Sequence, residues 1–244
     1  MAFVRTRHRG RPGRALGAGL AAVLLATCLG LVTGAGPASA VPSSPTLQAS
    51  ADPILFVHGW NNSAAVWNTM IDRFVAAGYP RNRLLAISYN SNQSNAAIAN
   101  QVRDSVNALR AQTGAAKVDI ITHSMGGLSS RYYLRNLGGT AFVDEWVSLG
   151  GPNHGTLVAW ACVWFSASCW DMLPGSAFLN ALNAGDETPG ATNYGTWWSS
   201  ADEIINPRSS VPLAGATNNP AGAIAHGDFL VRDDVFQAVR AFVA

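Results

Sequence analysis

A chain of 244 residues, 48% of them hydrophobic, is long enough for one domain with a sizeable core. Its 16 basic and 14 acidic residues leave a balance of +2. Five of the basic residues (Arg5, Arg7, Arg9, Arg11 and Arg14) crowd the N-terminus; without them the balance is 11 to 14, or −3, so charge gives no argument for nucleic-acid binding.

Those arginines open the first segment. An apolar run follows from Ala15 to about Val32, and Ala38-Ser39-Ala40 forms an A-x-A cleavage site. Basic, apolar and small residues in that order read as a secretory signal peptide over residues 1–40. An N-terminal anchor helix is the competing reading, and the placing of the small residues weighs against it. No Arg-Arg pair occurs, which favours the general export route. Thr27 is a poor residue before a lipidated Cys28, so no stable membrane anchor is expected. The expected location is extracellular, with residues 41–244 as the folded domain.

Val41 to Ala51 is rich in Pro and Ser and reads as an extended arm. Ile54 to Val57 is a continuous apolar run, as expected of a strand covered on both faces. Ser63 to Ala77 has helical spacing at Val66, Trp67, Met70, Ile71 and Phe74, closed by Gly78. Leu84 to Tyr89 reads as a second strand. Asn95 to Thr113 is a helix with Ile98, Val102, Val106 and Leu109 on one face, ended by Gly114. Lys117 to Ile121 is a third strand and Met125 to Leu137 the next helix. Phe142 to Leu149, Thr192 to Ser200 and Ala221 to Ala225 complete six strands. Asp233 to Val243 closes the chain as an amphipathic helix. Strands alternating with helices predict an α/β fold, a mostly parallel sheet of about six strands with crossover helices. No internal repeat and no second domain are visible.

The stretch from Gly155 to Gly190 fits this rhythm least. It carries Trp160, Trp164, Phe165 and Trp170. It reads either as ordinary core helix or as a short insertion over the site. Cys162 and Cys169, an even pair in an exported chain, suggest a disulfide. On one continuous helix their Cα atoms would stand about 10 Å apart, and a disulfide needs less than about 7 Å. Either the segment bends or the thiols stay free; the bond is the expectation, pinning a loop.

Chemistry concentrates at Thr122-His123-Ser124-Met125-Gly126, between the third strand and its helix. A serine on such a turn is a nucleophile elbow, with small neighbours Gly126 and Gly127. The helix turns its positive end and free N–H groups toward any oxyanion formed there. A serine hydroxyl needs a base, and the base an orienting carboxylate. In this arrangement the order is Ser, acid, His. After Ser124 the histidines are His154 and His226. His226 follows the last strand and is the expected base; His154 reads as a structural residue in a tight turn. The acid candidates are Asp144, Glu145, Asp171, Asp186, Glu187, Asp202 and Glu203. Asp202 ends the fifth strand and is preferred, with Glu203 as main competitor. The oxyanion donors are expected from the N–H of Met125 and from the loop His58-Gly59-Trp60-Asn61-Asn62, with Trp60 as donor.

These segments, together with Leu149-Gly150-Gly151-Pro152-Asn153, resemble the small secreted bacterial lipases of the α/β-hydrolase fold, the class 2 or minimal type. The resemblance covers about residues 52 to 244. That family often carries Ala where this chain has Thr122. It places its acid on Asp202, its base on His226 and its oxyanion donors on Trp60 and Met125. The resemblance implies a triacylglycerol-lipase type of carboxylic-ester hydrolysis through an acyl-enzyme, needing neither metal nor cofactor. A monomer meeting an ester or lipid substrate, at a lipid–water interface for acylglycerols, is the expected working form. Short-chain carboxylesterase, acyltransferase and polyester depolymerase are alternatives on the same residues; a non-catalytic binding protein on this scaffold is the reading from another class. If the Trp-rich stretch caps the acyl cleft, Trp164→Ala should alter chain-length preference.

Overall fold

In the structure, a computed structural model, residues 51–244 are described. The expected signal peptide and the arm up to residue 50 lie outside the described residues. The six strands are β1 (Ile54–Val57), β2 (Leu84–Ile87), β3 (Val118–His123), β4 (Val143–Leu149), β5 (Asn193–Trp198) and β6 (Thr217–Pro220). They form one sheet in the order β2-β1-β3-β4-β5-β6, and every neighbouring pair is parallel. The helices are α1 (Asn68–Ala76), α2 (Asn95–Thr113), α3 (Gly126–Asn136), α4 (Ala167–Asp171), α5 (Ala177–Leu182) and α6 (Asp233–Phe242).

Alternation along the strands decides which helix covers which face. Ile54 and Phe56 of β1 pack with Trp67, with Met70 and Phe74 of α1, and with Phe236 and Val239 of α6. Leu55 and Val57 turn the other way, into the cluster with Val102 and Val106 of α2 and Tyr133 of α3. A sheet buried on both sides needs apolar residues at successive positions, and all four of Ile54–Val57 are buried.

Local signals match the helix ends. The Ser94 hydroxyl accepts the Ala97 N–H at the start of α2, and Gly114 takes the left-handed conformation at its end. The helix expected over Ser63–Ala77 begins with a 3₁₀ turn, Ala64–Trp67, before α1. β2 stops at Ile87, leaving Tyr89 in the loop beyond.

The sixth strand departs from expectation. It is Thr217–Pro220, not Ala221–Ala225. β6 is an edge strand, so it needs no apolar alternation, and Pro220 at its end requires no ladder donor. The segment after it is satisfied by a side chain. Ser199 Oγ accepts the Ile224 N–H at 2.9 Å and donates to the Ile224 carbonyl at 2.5 Å.

Register aligns the carboxyl ends of the inner strands. Val57 lies beside Thr122, and Leu149 beside both His123 and Trp197. The chain leaves β1 for β2 on one side and then crosses to β3 on the other. The crevice between β1 and β3 is therefore a topological switch point, where open α/β sheets bind ligands. Among the described residues no helix is long and apolar enough to cross a membrane.

Candidate active site

Ser124 follows β3 directly and has φ of 56°, one of two non-glycine residues at positive φ among the described residues. Its N–H donates to the Leu149 carbonyl at 2.9 Å and its carbonyl accepts the Gly127 N–H at 3.0 Å. β4 and α3 thus hold the turn from both sides. Its tightness sets the neighbours. A Cβ at Gly126 would stand 2.5 Å from the Val57 carbonyl oxygen and 2.6 Å from that of His58. A Cβ at Gly59 would stand 2.8 Å from the Ser124 Cβ and 3.3 Å from its Oγ. The Gly59 backbone therefore passes against the serine, which a larger residue would prevent. Thr122 is fully buried, and its hydroxyl donates to the Val147 carbonyl at 2.8 Å, so β4 satisfies the extra polar atom.

His226 begins a 3₁₀ turn, His226–Leu230, and is buried. Its Nδ1 lies 2.9 Å from Asp202 Oδ2. The other Asp202 oxygen accepts the N–H groups of Ile204 and Ile205, each at 2.9 Å. Burial opposes the Asp202 charge, but the His226 hydrogen bond, the His226 charge and these amides outweigh it. Its pKa falls below the usual carboxylate value. Glu203 reaches the same residue differently: its Oε2 accepts the His226 backbone N–H at 3.0 Å. Both acidic candidates hold His226, one by the ring and one by the chain.

The loop after β1 is braced from behind. His58 stacks on Tyr89 with ring centroids 3.9 Å apart. The His58 Nδ1 lies 2.7 Å from the Gly59 carbonyl, so this nitrogen carries the proton, and Nε2 accepts the Tyr89 N–H at 3.4 Å. Burial lowers the His58 pKa, partly offset by the Gly59 carbonyl. The Tyr89 hydroxyl donates to the His58 carbonyl. Among the described residues, neither the Trp60 nor the Met125 backbone N–H donates to a protein acceptor. The Trp60 indole N–H reaches Asn92 at 3.2 Å and Ser166 at 3.1 Å, joining this loop to the segment after β4.

Ser124, His226, His123, Gly59 and Trp60 all face one cavity of about 270 Å³. Val158, Ala159, Met172, Ile204 and Ile205 give it apolar walls. A hydroxyl, an imidazole held by a buried carboxylate and two free amides beside such a cavity can bind an acyl group, take up a proton and stabilise an oxyanion.

A family model described as Lipase (class 2) matches residues 51–219. The chain belongs to the class 2 lipase family. The match includes Ser124 and Asp202 and ends before His226. The mature form of the Bacillus licheniformis lipase BlEst2 superposes with a TM-score of 0.70 at 18% identity, covering 83% of this chain and 95% of that one. Aspergillus fumigatus lipase B gives 0.67 at 20% identity; 80% of this chain aligns, spanning 52% of that chain. A Listeria innocua protein, the product of the gene lin2722, gives 0.60 at 13% identity, covering 79% and 94%. At these identities the likeness is one of fold, the α/β-hydrolase fold, and the family makes the chain a lipase- or esterase-type hydrolase.

In this class 2 lipase the remaining sequence candidates lie elsewhere. His154 is a bracing residue: Nδ1 is 3.1 Å from the Ser210 carbonyl and Nε2 is 2.7 Å from Glu187. Asp171 accepts the Asn95 N–H at 2.7 Å at the start of α2. Asp144 pairs with Lys117. Cys162 and Cys169 form a disulfide with Cα atoms 5.8 Å apart. The segment does bend: a 3₁₀ helix, Leu157–Ala161, turns before α4. Its inner side packs on Met125, Leu128 and Ile98. Trp164 is 86% exposed and does not line the cavity, so this side chain is neither core nor cleft wall. Sequence reasoning gives no role to Tyr89, which lies at an expected strand end, or to His123, beside the nucleophile candidate. His123 had a signal, since a histidine inside the elbow is polar where the strand is apolar.

Proposed function

We propose that this class 2 lipase is a secreted serine hydrolase that cleaves carboxylic esters, acylglycerols foremost, through Ser124, His226 and Asp202. The observation that carries the reading is the buried Asp202–His226 hydrogen bond beside a serine held at positive φ, with serine and histidine on one cavity. Ser124 Oγ attacks the ester carbonyl carbon while His226 takes its proton. Asp202, ionised at neutral pH, accepts from Nδ1–H and leaves Nε2 as the basic nitrogen. The N–H groups of Trp60 and Met125 receive the oxyanion. His226 then returns the proton to the departing alcohol. Water attacks the acyl-enzyme with His226 again as base, releasing the acid and restoring Ser124. The apolar cavity walls suit an acyl chain, which supports acylglycerols as the substrate class.

The test is hydrolysis of p-nitrophenyl esters by the wild type, Ser124→Ala and Asp202→Asn. Ser124→Ala should be inactive and Asp202→Asn slower by about 10⁴-fold in kcat, through loss of the correct tautomer. A wild type no faster than Ser124→Ala would sink the proposal. Emulsified triolein against soluble short esters then separates lipase from short-chain carboxylesterase: hydrolysis confined to the short esters would assign the latter.

A further inference from the structure

Six of the eight exposed large apolar side chains among the described residues fall between Leu157 and Trp170. Trp164 and Phe165 are the most exposed, at 86% and 63%, with Leu157, Trp160 and Trp170 about half exposed. No charged residue occurs anywhere in that stretch. Soluble proteins rarely leave so many large apolar groups together in water unless something covers them.

The stretch is two-sided. Val158, Ala159, Ala161 and Cys162 line the cavity that holds Ser124. Trp160 and Trp170 face away, with ring centroids 6.1 Å apart. A trough of about 440 Å³ lined by Leu157, Trp160, Trp170, Leu173 and Phe178, with Asp171 and Ser176 as its polar members, extends this outer surface.

Its tip is also fixed. The Cys162–Cys169 disulfide closes the loop that presents Trp164 and Phe165. The Ala167 N–H donates to the Asn92 carbonyl at 2.9 Å, and Ser168 Oγ to the Ser91 carbonyl at 2.6 Å. Ser166 accepts the Trp60 indole N–H, and Phe165 lies 6.1 Å from the Trp60 ring. A loop tied at four points to the body is a rigid platform rather than a flap.

We propose that Trp160, Trp164, Phe165 and Trp170 form a fixed pad that seats the protein on an uncharged lipid surface beside the mouth of the Ser124 cavity. The choice of a lipid as occupant rests on the ester-hydrolase reading above. A protein partner seated on this stretch would cover the segment that walls the cavity, whereas a lipid surface would present substrate to it. Indole rings favour the boundary between water and hydrocarbon. With no basic residue in the stretch, anionic headgroups gain nothing there, unlike the surfaces of basic amphipathic segments.

The test is co-flotation of Ser124→Ala with phosphatidylcholine vesicles, with and without added phosphatidylglycerol, at low and high salt. Binding to the neutral vesicles is expected, unchanged by anionic lipid or salt. Trp164→Ala/Phe165→Ala in that background should weaken binding by about tenfold or more, from the apolar area no longer buried. Trp164→Ala alone in the active protein should leave acetyl-ester hydrolysis unchanged, since this side chain is 86% exposed and does not line the cavity. Vesicle binding unaffected by the double substitution would overturn the pad, as would binding that requires anionic lipid and fades with salt. A wild-type dimer by sedimentation that the double substitution abolishes would assign the surface to a second copy and also overturn it. Intact vesicle binding by a wild type inactive on every ester would support the pad while defeating the hydrolase reading.

Discussion

His123 is the last residue of β3 and directly precedes Ser124. Burial, aided by the charge of His226, pushes its pKa down to about 3, so it is neutral through the working range. Its Nε2 lies 3.0 Å from the His226 carbonyl oxygen, and its Nδ1 is buried without a partner. A carbonyl only accepts, so Nε2 carries the proton and Nδ1 does not. The bond ties the backbone of the proposed base to the residue next to the proposed nucleophile, with ring centroids 4.5 Å apart. His123→Phe keeps a ring and removes the bond. At about 1–3 kcal/mol for a buried hydrogen bond lost, kcat should fall about 5- to 150-fold. His123→Gln, which retains a donor, should recover part of the loss. Steady-state kinetics on a soluble ester, with thermal melting as the control for folding, checks both.

β3 and β4 carry a second buried titratable group at the opposite end of the sheet. Asp119 Oδ1 accepts the Glu145 N–H at 3.1 Å, and Oδ2 is buried without a partner. Burial foremost, then the neighbouring Glu145 carboxyl, raises the Asp119 pKa well above its ordinary value, and Asp52 adds to this. A raised carboxyl pKa means that the folded chain holds a proton which the unfolded chain releases. The resulting stabilisation is present at acid pH and is lost as pH rises through the folded value. Asp119→Asn removes that dependence. Its melting temperature relative to wild type should be higher at neutral pH, and the two should converge toward and below pH about 4. A difference independent of pH would show that the carboxyl does not titrate this way.

At the same element scale, legibility follows how local each signal is. α2 is readable at both ends because Ser94, Gly114 and the apolar positions between them act within a turn or two of backbone. β1 is readable because a strand covered on both faces must be apolar throughout. β6 is not, because Thr-Asn-Asn-Pro at a sheet edge pairs through backbone on one side and through asparagine side chains at its flank. Asn218 accepts from Thr196 at 2.6 Å and from the Leu213 N–H at 3.0 Å. The segment after β4 is legible only as a break in rhythm. Its anchors come from afar, as in buried Arg131, which donates to Asn183 at 2.9 Å and to the Glu187 carbonyl at 3.1 Å.

The whole molecule gathers its site from loops after β1, β3 and β5 and from the turn before α6. The proposal of export adds a test at this scale. The secreted protein should begin at Val41, by intact mass and N-terminal sequencing, with the charge balance of −3 that follows removal of five arginines. A product retaining residues 1–40 would reject cleavage after Ala40.

By itself the sequence determined the parts whose chemistry is short-ranged: the parallel α/β alternation, the tight turn at Ser124 with its small neighbours, and the chain order of the proposed serine, acid and histidine. Only the tertiary structure decided the pairings between distant segments. Asp202 and Glu203 are adjacent in sequence and equally acidic. The register of β5 and the turn at Ile204–Ile205 aim one at the His226 ring and the other at its backbone. Likewise the sequence left Trp160, Trp164, Phe165 and Trp170 open between a core helix and an insertion over the site. The bend closed by Cys162 and Cys169 leaves them in water, because the inner side of that segment already fills the space over α2 and α3.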